Sequence, residues 1–170
     1  MAKKVLLGLV ILCALFTTRL HAFPLVIDQN SQTRNFFKDI VGSRQALVIY
    51  IYTSCTKVCP VMAKQYRLLE AALQLRSGKE VALIAISMDP EHDSPSDLKD
   101  WAAKEGLSDR VTIVTGSRTA LNEVTESIAG GGLFDRDTHT PFLFVKDSSG
   151  KWRSYYGFMS IDKILELIDN

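Results

Sequence analysis

Apolar positions along the chain fall into two kinds of run. Ala46–Tyr52 (ALVIYIY) and Val81–Ile86 (VALIAI) are unbroken and rich in β-branched or aromatic residues. That is the pattern of strands covered on both faces, as in a mostly parallel sheet. Between them, Met62, Tyr66, Leu69 and Leu73 recur at helical spacing from Pro60 to Arg76, and Ser77-Gly78 supplies a stop. The unit is β-α-β. Downstream the alternation repeats more loosely. Ser94-Pro95 opens a helix through Lys104, Val111–Thr115 is a short strand, and Ser117 caps a helix running to Ile128. Phe142–Val145 and Trp152–Tyr156 flank DSSGK, which reads as a hairpin turn, and Ile161–Ile168 (IDKILELI) is a closing helix capped by Ser160.

Strand-helix-strand, then a hairpin and a last helix, is the plan of a thioredoxin-like α/β domain, a central mixed sheet flanked by helices. There is no internal repeat, low-complexity tract or linker. The amino terminus has its own pattern. Lys3 and Lys4 precede an apolar run from Val5 to Phe16, then polar residues and Ala22. This is the layout of a secretory signal cleaved after Ala22. Its 12 apolar residues fall short of the ~18 that span a bilayer, so an uncleaved anchor facing the periplasm is the lesser alternative. The expected organisation is a signal peptide over 1–22 and one domain over 23–170, exported to the periplasm. With no second domain in view, a monomer is expected.

Charge changes little in this picture. Cleavage would remove Lys3, Lys4 and Arg19 and no acids, leaving 17 basic residues against 19 acidic, a net charge of −2. No basic block stands out, which argues against nucleic acid as a partner.

Cysteine usage changes it more. Cys13 lies in the signal, so the exported chain keeps only Cys55 and Cys59, in YTSCTKVCPVM. A disulfide closing so short a loop constrains the unfolded chain little, so a purely structural bridge is a weak explanation. Buried cysteines are common, yet two within five positions and no others point to a working pair. Pro60 is favoured at the first helical position, which predicts Cys59 at the N-cap. There the helix N-terminus and Lys57 would favour a thiolate, while Cys55 would lie in the loop leaving the strand. The carboxyl end of a central strand is where α/β folds place their sites.

Two thiols can exchange disulfides; a metal usually asks for a third ligand. His92 and His139 remain after cleavage. His139 precedes the Phe142–Val145 strand, which a thioredoxin-like plan brings opposite the cysteine loop, and it is equally readable as a ligand or a hydrogen-bonded loop residue. A cis Thr140–Pro141 bond is expected beside it. His92, in SMDPEHDSPSDL, reads as a solvated residue before a helix. Asp89, Asp93 and Ser94 read as turn and cap residues, and Met62, Met88 and Met159 as packing.

Three segments in order resemble the Sco/SenC family of copper chaperones: YTSCTKVCP, SMDPEHDSP and DTHTPFLFVKDSSGKWRSYYG. The resemblance covers most of the exported chain. It implies a thioredoxin-like fold, copper bound by Cys55, Cys59 and His139, and delivery of copper to the CuA centre of a cytochrome oxidase subunit, or thiol reduction of that apo-site. The chain departs from the family at Thr56 and Lys57, where Pro and Asp often follow the first cysteine, and at Thr138, where Asp often precedes the histidine.

Three functions compete on the residues. Soft thiolates with one imidazole suit Cu(I), with Cu(II) as the lesser expectation, and hand-over by ligand exchange to a copper-receiving protein. The same cysteines suit a thiol-disulfide oxidoreductase kept reduced by a thiol reductant. A peroxiredoxin-like peroxidase is weakest, because no Pro-x-x-x-Thr/Ser-x-x-Cys pattern precedes either cysteine. A Cys2His zinc site would need a substrate pocket that the sequence does not reveal.

Overall fold

The two unbroken apolar runs lie side by side at the centre of a mixed sheet, as their double-sided burial requires. The computed structural model describes residues 24–76, 80–131 and 140–169. Within them the order is β1 (Leu25–Asp28), β2 (Thr33–Asn35), a π-helical turn (Phe36–Val41), β3 (Gln45–Ile51), α1 (Val58–Gln74), β4 (Val81–Ser87), α2 (Pro95–Glu105), β5 (Val111–Thr115), α3 (Arg118–Ala129), β6 (Phe142–Lys146), β7 (Trp152–Tyr156) and α4 (Ile161–Asp169). The seven strands run β2-β1-β5-β4-β3-β6-β7 across the sheet. β3, β4 and β5 are parallel, while β1 and β6 join them antiparallel. Every residue of β4 is buried, as is β3 from Ala46 onward.

Both crossovers, β3-α1-β4 and β4-α2-β5, step the same way across the sheet. The right-handed rule therefore puts α1 and α2 on one face. There α1 touches α2 and α4 and buries Met62, Tyr66, Leu69 and Leu73. The other face carries α3, which reaches β1 and β7 and takes the Tyr50 hydroxyl on Thr125 Oγ1 at 2.9 Å. An aromatic row crosses that face: Tyr50 meets Phe144 edge-on, Phe144 stacks on Phe142, and Phe142 meets Tyr156 edge-on.

The local signals explain the ends of the elements. Ser94 and Asp97 form a reciprocal capping box at the start of α2, and Gly106, at φ +68°, closes it in the left-handed conformation that glycine tolerates best. Ser117 caps α3 through Ala120 N. The DSSGK turn is built on Asp147, whose Oδ1 accepts from the N–H groups of Ser149 and Lys151. Residues 24–45, to which the sequence assigns no element, hold β1, β2 and the π-helical turn. That turn buries Phe36, Ile40 and Val41. The expected signal segment and the Ser77-Gly78 stop lie outside the described residues. Among those residues, no helix is long and apolar enough to cross a membrane.

Candidate functional site

The carboxyl ends of β3 and β4 are adjacent because the two strands are parallel, and each is followed by a segment rich in polar residues. The Met88 N–H donates to the Ile51 carbonyl at 2.8 Å, which extends the ladder one step and sets the two segments against each other. The first carries Cys55 and Cys59; both are free thiols and both are buried.

Helix α1 begins at Val58, with Lys57 as N-cap, so Cys59 is the second helical residue and Pro60 the third. This corrects the expected N-cap position of Cys59. Every N–H of a first helical turn lacks an intrahelical acceptor, so proline is tolerated across the turn and does not fix its first residue. The Lys57 side chain makes no cap bond. Cys55 takes that part: its Sγ accepts the Cys59 N–H at 3.3 Å, and its own N–H donates to the Tyr52 carbonyl at 3.1 Å.

The two thiols are unequal. Burial pushes the Cys55 thiol up, but the N–H groups of Cys59 and Lys57, the Cys59 thiol and the Tyr52 hydroxyl together outweigh it and hold Cys55 below the ordinary thiol value. Burial drives the Cys59 thiol far above it, and the neighbouring Cys55 and the Asp93 charge add to this against one bond from the Tyr52 N–H. Of the two, Cys55 is therefore the thiol that ionises more readily, whereas the helix-dipole reading assigns the thiolate to Cys59. Lys57 contributes through its backbone N–H.

The second segment holds a residue whose part the sequence does not reveal. Asp93 is 2% exposed. Its Oδ1 accepts from Thr53 Oγ1 at 2.5 Å and Thr53 N at 3.2 Å, and its Oδ2 from Ser87 Oγ at 2.6 Å. Asp93 is thus a bridge between the start of the cysteine loop and the end of β4, in addition to being a turn residue. Asp89 accepts from His92 Nδ1 at 2.8 Å, and the His92 side chain is largely exposed, as expected of a solvated residue. Met62 and Met88 are buried, and Met159 packs against the core.

β6 starts at the same end of the sheet, its register setting Leu143 opposite Ile49. Thr140 and Pro141 therefore enter β6 beside the cysteine loop. Among the described residues no peptide bond is cis, so Thr140–Pro141 is trans and the expected cis-proline is withdrawn. Trans is the lower-energy form for any X-Pro bond. The Pro141 carbonyl accepts the Gly157 N–H at 2.9 Å. His139 lies outside the described residues, and among those residues no three His, Cys, Asp or Glu side chains are grouped to hold a metal. The structure thus brings together Cys55 and Cys59 and leaves the third expected ligand one residue beyond the described chain.

Comparison with known proteins identifies the family and the fold. The family model described as SCO1/SenC matches residues 20–157. The chain is 23% identical over 158 residues to an SCO2-like protein of Rickettsia prowazekii, covering 85% of this chain and 73% of that one. It is 33% identical over 97 residues to the SCO1 protein homolog of Bacillus subtilis, covering 56% of this chain and 50% of that one. Among solved structures, BsSco, a member of the Sco family of cytochrome c oxidase assembly proteins in which a disulfide switch was identified, aligns with TM-score 0.70 at 23% identity over 85% of this chain and 88% of that one. Yeast Sco1 with copper bound aligns with TM-score 0.68 at 18% identity, over 85% and 89%. These structural likenesses show the thioredoxin-like α/β fold.

Proposed function

The chain belongs to the SCO1/SenC family, and we propose that it is an exported copper-binding protein that passes copper to a CuA-type site of a cytochrome oxidase or to another copper enzyme. The observation that carries this reading is the placement of two free, buried cysteines at the β3–α1 turn, with the Cys59 N–H on Cys55 Sγ. Two thiolate sulfurs are soft donors that favour Cu(I) over harder cations. The structure of yeast Sco1 with copper bound supports the choice of metal. His139, two residues before the trans Pro141 that enters β6, is the third ligand in this proposal. Three donors leave copper open to an incoming thiolate of the recipient, so hand-over proceeds by ligand exchange with no change of oxidation state. Domain 23–170, freed of its signal, does this as a monomer in the periplasm.

The inequality of the thiols favours a second reading, reduction of the recipient's cysteines. The Cys55 thiolate attacks a disulfide of the apo-site, forming a mixed disulfide and releasing one thiolate. Cys59 then loses its proton to that thiolate and attacks Cys55, giving the Cys55–Cys59 disulfide and a recipient reduced by two electrons. A thiol reductant must return both electrons before the next cycle. Because a disulfide cannot hold Cu(I), the pair is reduced before loading, and oxidation releases the metal.

Anaerobic Cu(I) titration of the reduced protein against a competing chelator tests the first reading, beside Cys55→Ser, Cys59→Ser and His139→Ala. One tightly held copper, lost in all three variants, is expected. Weak binding indifferent to His139 would hand the protein to the reductase reading.

A further inference from the structure

We propose that Asp93 is the positioning residue of the cysteine pair: its buried carboxylate latches Thr53 to Ser87 and so fixes Cys55 against Cys59. The inference rests on the reading of Cys55 and Cys59 as the working pair. Cys59 is held by α1, whose position is set by Met62, Tyr66 and Leu69 in the core. Cys55 is in the loop between β3 and α1, and a short loop without regular structure samples many conformations unless something binds it. Two contacts beyond the loop's own turn tie its beginning down. One is the Met88 N–H on the Ile51 carbonyl at the strand end. The other is Asp93, which accepts both the hydroxyl and the N–H of Thr53 while its second oxygen takes the Ser87 hydroxyl.

The latch is itself anchored. Asp93 N donates to the Asp89 carbonyl at 2.9 Å, and the Asp89 N–H donates to Ser87 Oγ at 3.0 Å. Ser94, the next residue, begins the capping box of α2. The carboxylate is thus held by a strand end, a turn and a helix start, and it passes that rigidity to a loop 40 positions earlier in the chain. Hydrogen bonds to a charged acceptor in a buried setting are the strong kind. Fixing one sulfur against the other raises their effective concentration. That single quantity governs both disulfide stability and the chelation of one metal by two sulfurs.

The test uses wild type, Thr53→Val, Thr53→Ser and Asp93→Asn. Cu(I) affinity is measured by chelator competition, and the dithiol reduction potential by equilibration in glutathione buffers. Thr53→Val removes the hydroxyl bond and keeps the carboxylate charge, so it carries the test even if Asp93→Asn fails to fold. Expected is a tenfold or greater loss of Cu(I) affinity in Thr53→Val and Asp93→Asn, with Thr53→Ser restored to wild type. A tenfold loss of effective concentration also raises the reduction potential by about 30 mV for a two-electron couple. Thr53→Val within twofold of wild type in both readouts overturns the proposal. So does tighter Cu(I) binding in Asp93→Asn, because the carboxylate would then act through its charge. If wild type itself holds no Cu(I), the copper reading fails and the latch is judged on the potential alone. A rise of about 30 mV in Thr53→Val then sustains it, and a shift below about 9 mV, the twofold equivalent, overturns it.

Discussion

Tyr66 joins the helix that carries Cys59 to the strand that leads toward Asp93, and removing one oxygen atom there makes a sharp test. Its hydroxyl donates to the Ile84 carbonyl at 3.0 Å, fully inside the protein. Tyr66→Phe keeps the ring and deletes this bond. Ile84 is an interior residue of β4, paired on both sides in the parallel ladder, so its carbonyl is not stranded. The loss at pH 7 is then that of one net hydrogen bond, about 1 kcal/mol, or about 2–4 °C in melting temperature for a domain of this size. The same burial holds the Tyr66 phenol well above its ordinary value of 10.0. A raised folded value means stability is intact below the unfolded value and is lost as pH rises past it, since the unfolded chain ionises first. At pH 11 this term costs wild type about 1.4 kcal/mol, from RT and an unfolded tyrosine near 10. Phenylalanine has no such term. The stability curves of wild type and Tyr66→Phe should therefore cross near pH 10.6, taking about 1 kcal/mol as the loss at neutral pH. Urea unfolding followed by circular dichroism from pH 7 to 11 measures this; every other titrating group cancels between the two proteins. A constant difference across that range, or a neutral-pH loss above ~3 kcal/mol, would refute the reasoning, the larger value belonging to cavity formation.

Other expectations follow from the same contacts. Brief iodoacetamide pulses on the reduced protein, with labelling located by mass spectrometry from pH 5 to 10, should mark Cys55 at a pH below that of a free thiol and leave Cys59 unmarked; equal labelling would contradict the assigned inequality. Ser94→Ala breaks the capping box of α2 and should cost about 1 kcal/mol in urea unfolding. Because the Ser94 hydroxyl and N–H hold the Asp97 carboxyl below its usual range, stability from that pair is present above the unfolded carboxyl value and lost as pH falls through the folded one. Ser94→Ala should therefore flatten the acid limb of the stability curve. Leu69→Ala, at a side chain with no exposure under α1, should cost about 2–5 kcal/mol, and an effect below 1 kcal/mol would mean α1 is not seated as described.

Local signals made most of the fold legible. The runs ALVIYIY and VALIAI could only be buried on both faces, and Ser94-Pro95, Ser117 and DSSGK announce their caps and turn within a few residues. The first strands stayed hidden because LVID and TRN are too short to show a period, and a π-helical turn has no common spacing to recognise. Cys59 was misplaced by two steps because proline marks a first turn without fixing which residue of the turn it occupies. Preference for the thiolate depends on what each sulfur meets, which spacing does not encode: both cysteines are buried, but Cys55 receives the helix N–H. The Asp93–Thr53 contact joins positions 40 apart, and no local pattern carries such a pairing. Nor does X-Pro alone tell trans from cis.

The bond from the Cys59 N–H to Cys55 sulfur makes the start of α1 sensitive to chemistry. Most helices close their first turn with an oxygen that never changes; here the closing atom is the one that would be metallated or oxidised. A thiolate is a strong acceptor, and a disulfide sulfur, having lost its charge, is a weak one. Oxidation therefore loosens the first turn of the helix. By reciprocity, whatever firms that turn favours the reduced sulfur to the same degree. Amide exchange at Cys59 gives a direct gauge of this coupling, because that single proton records which partner the sulfur has.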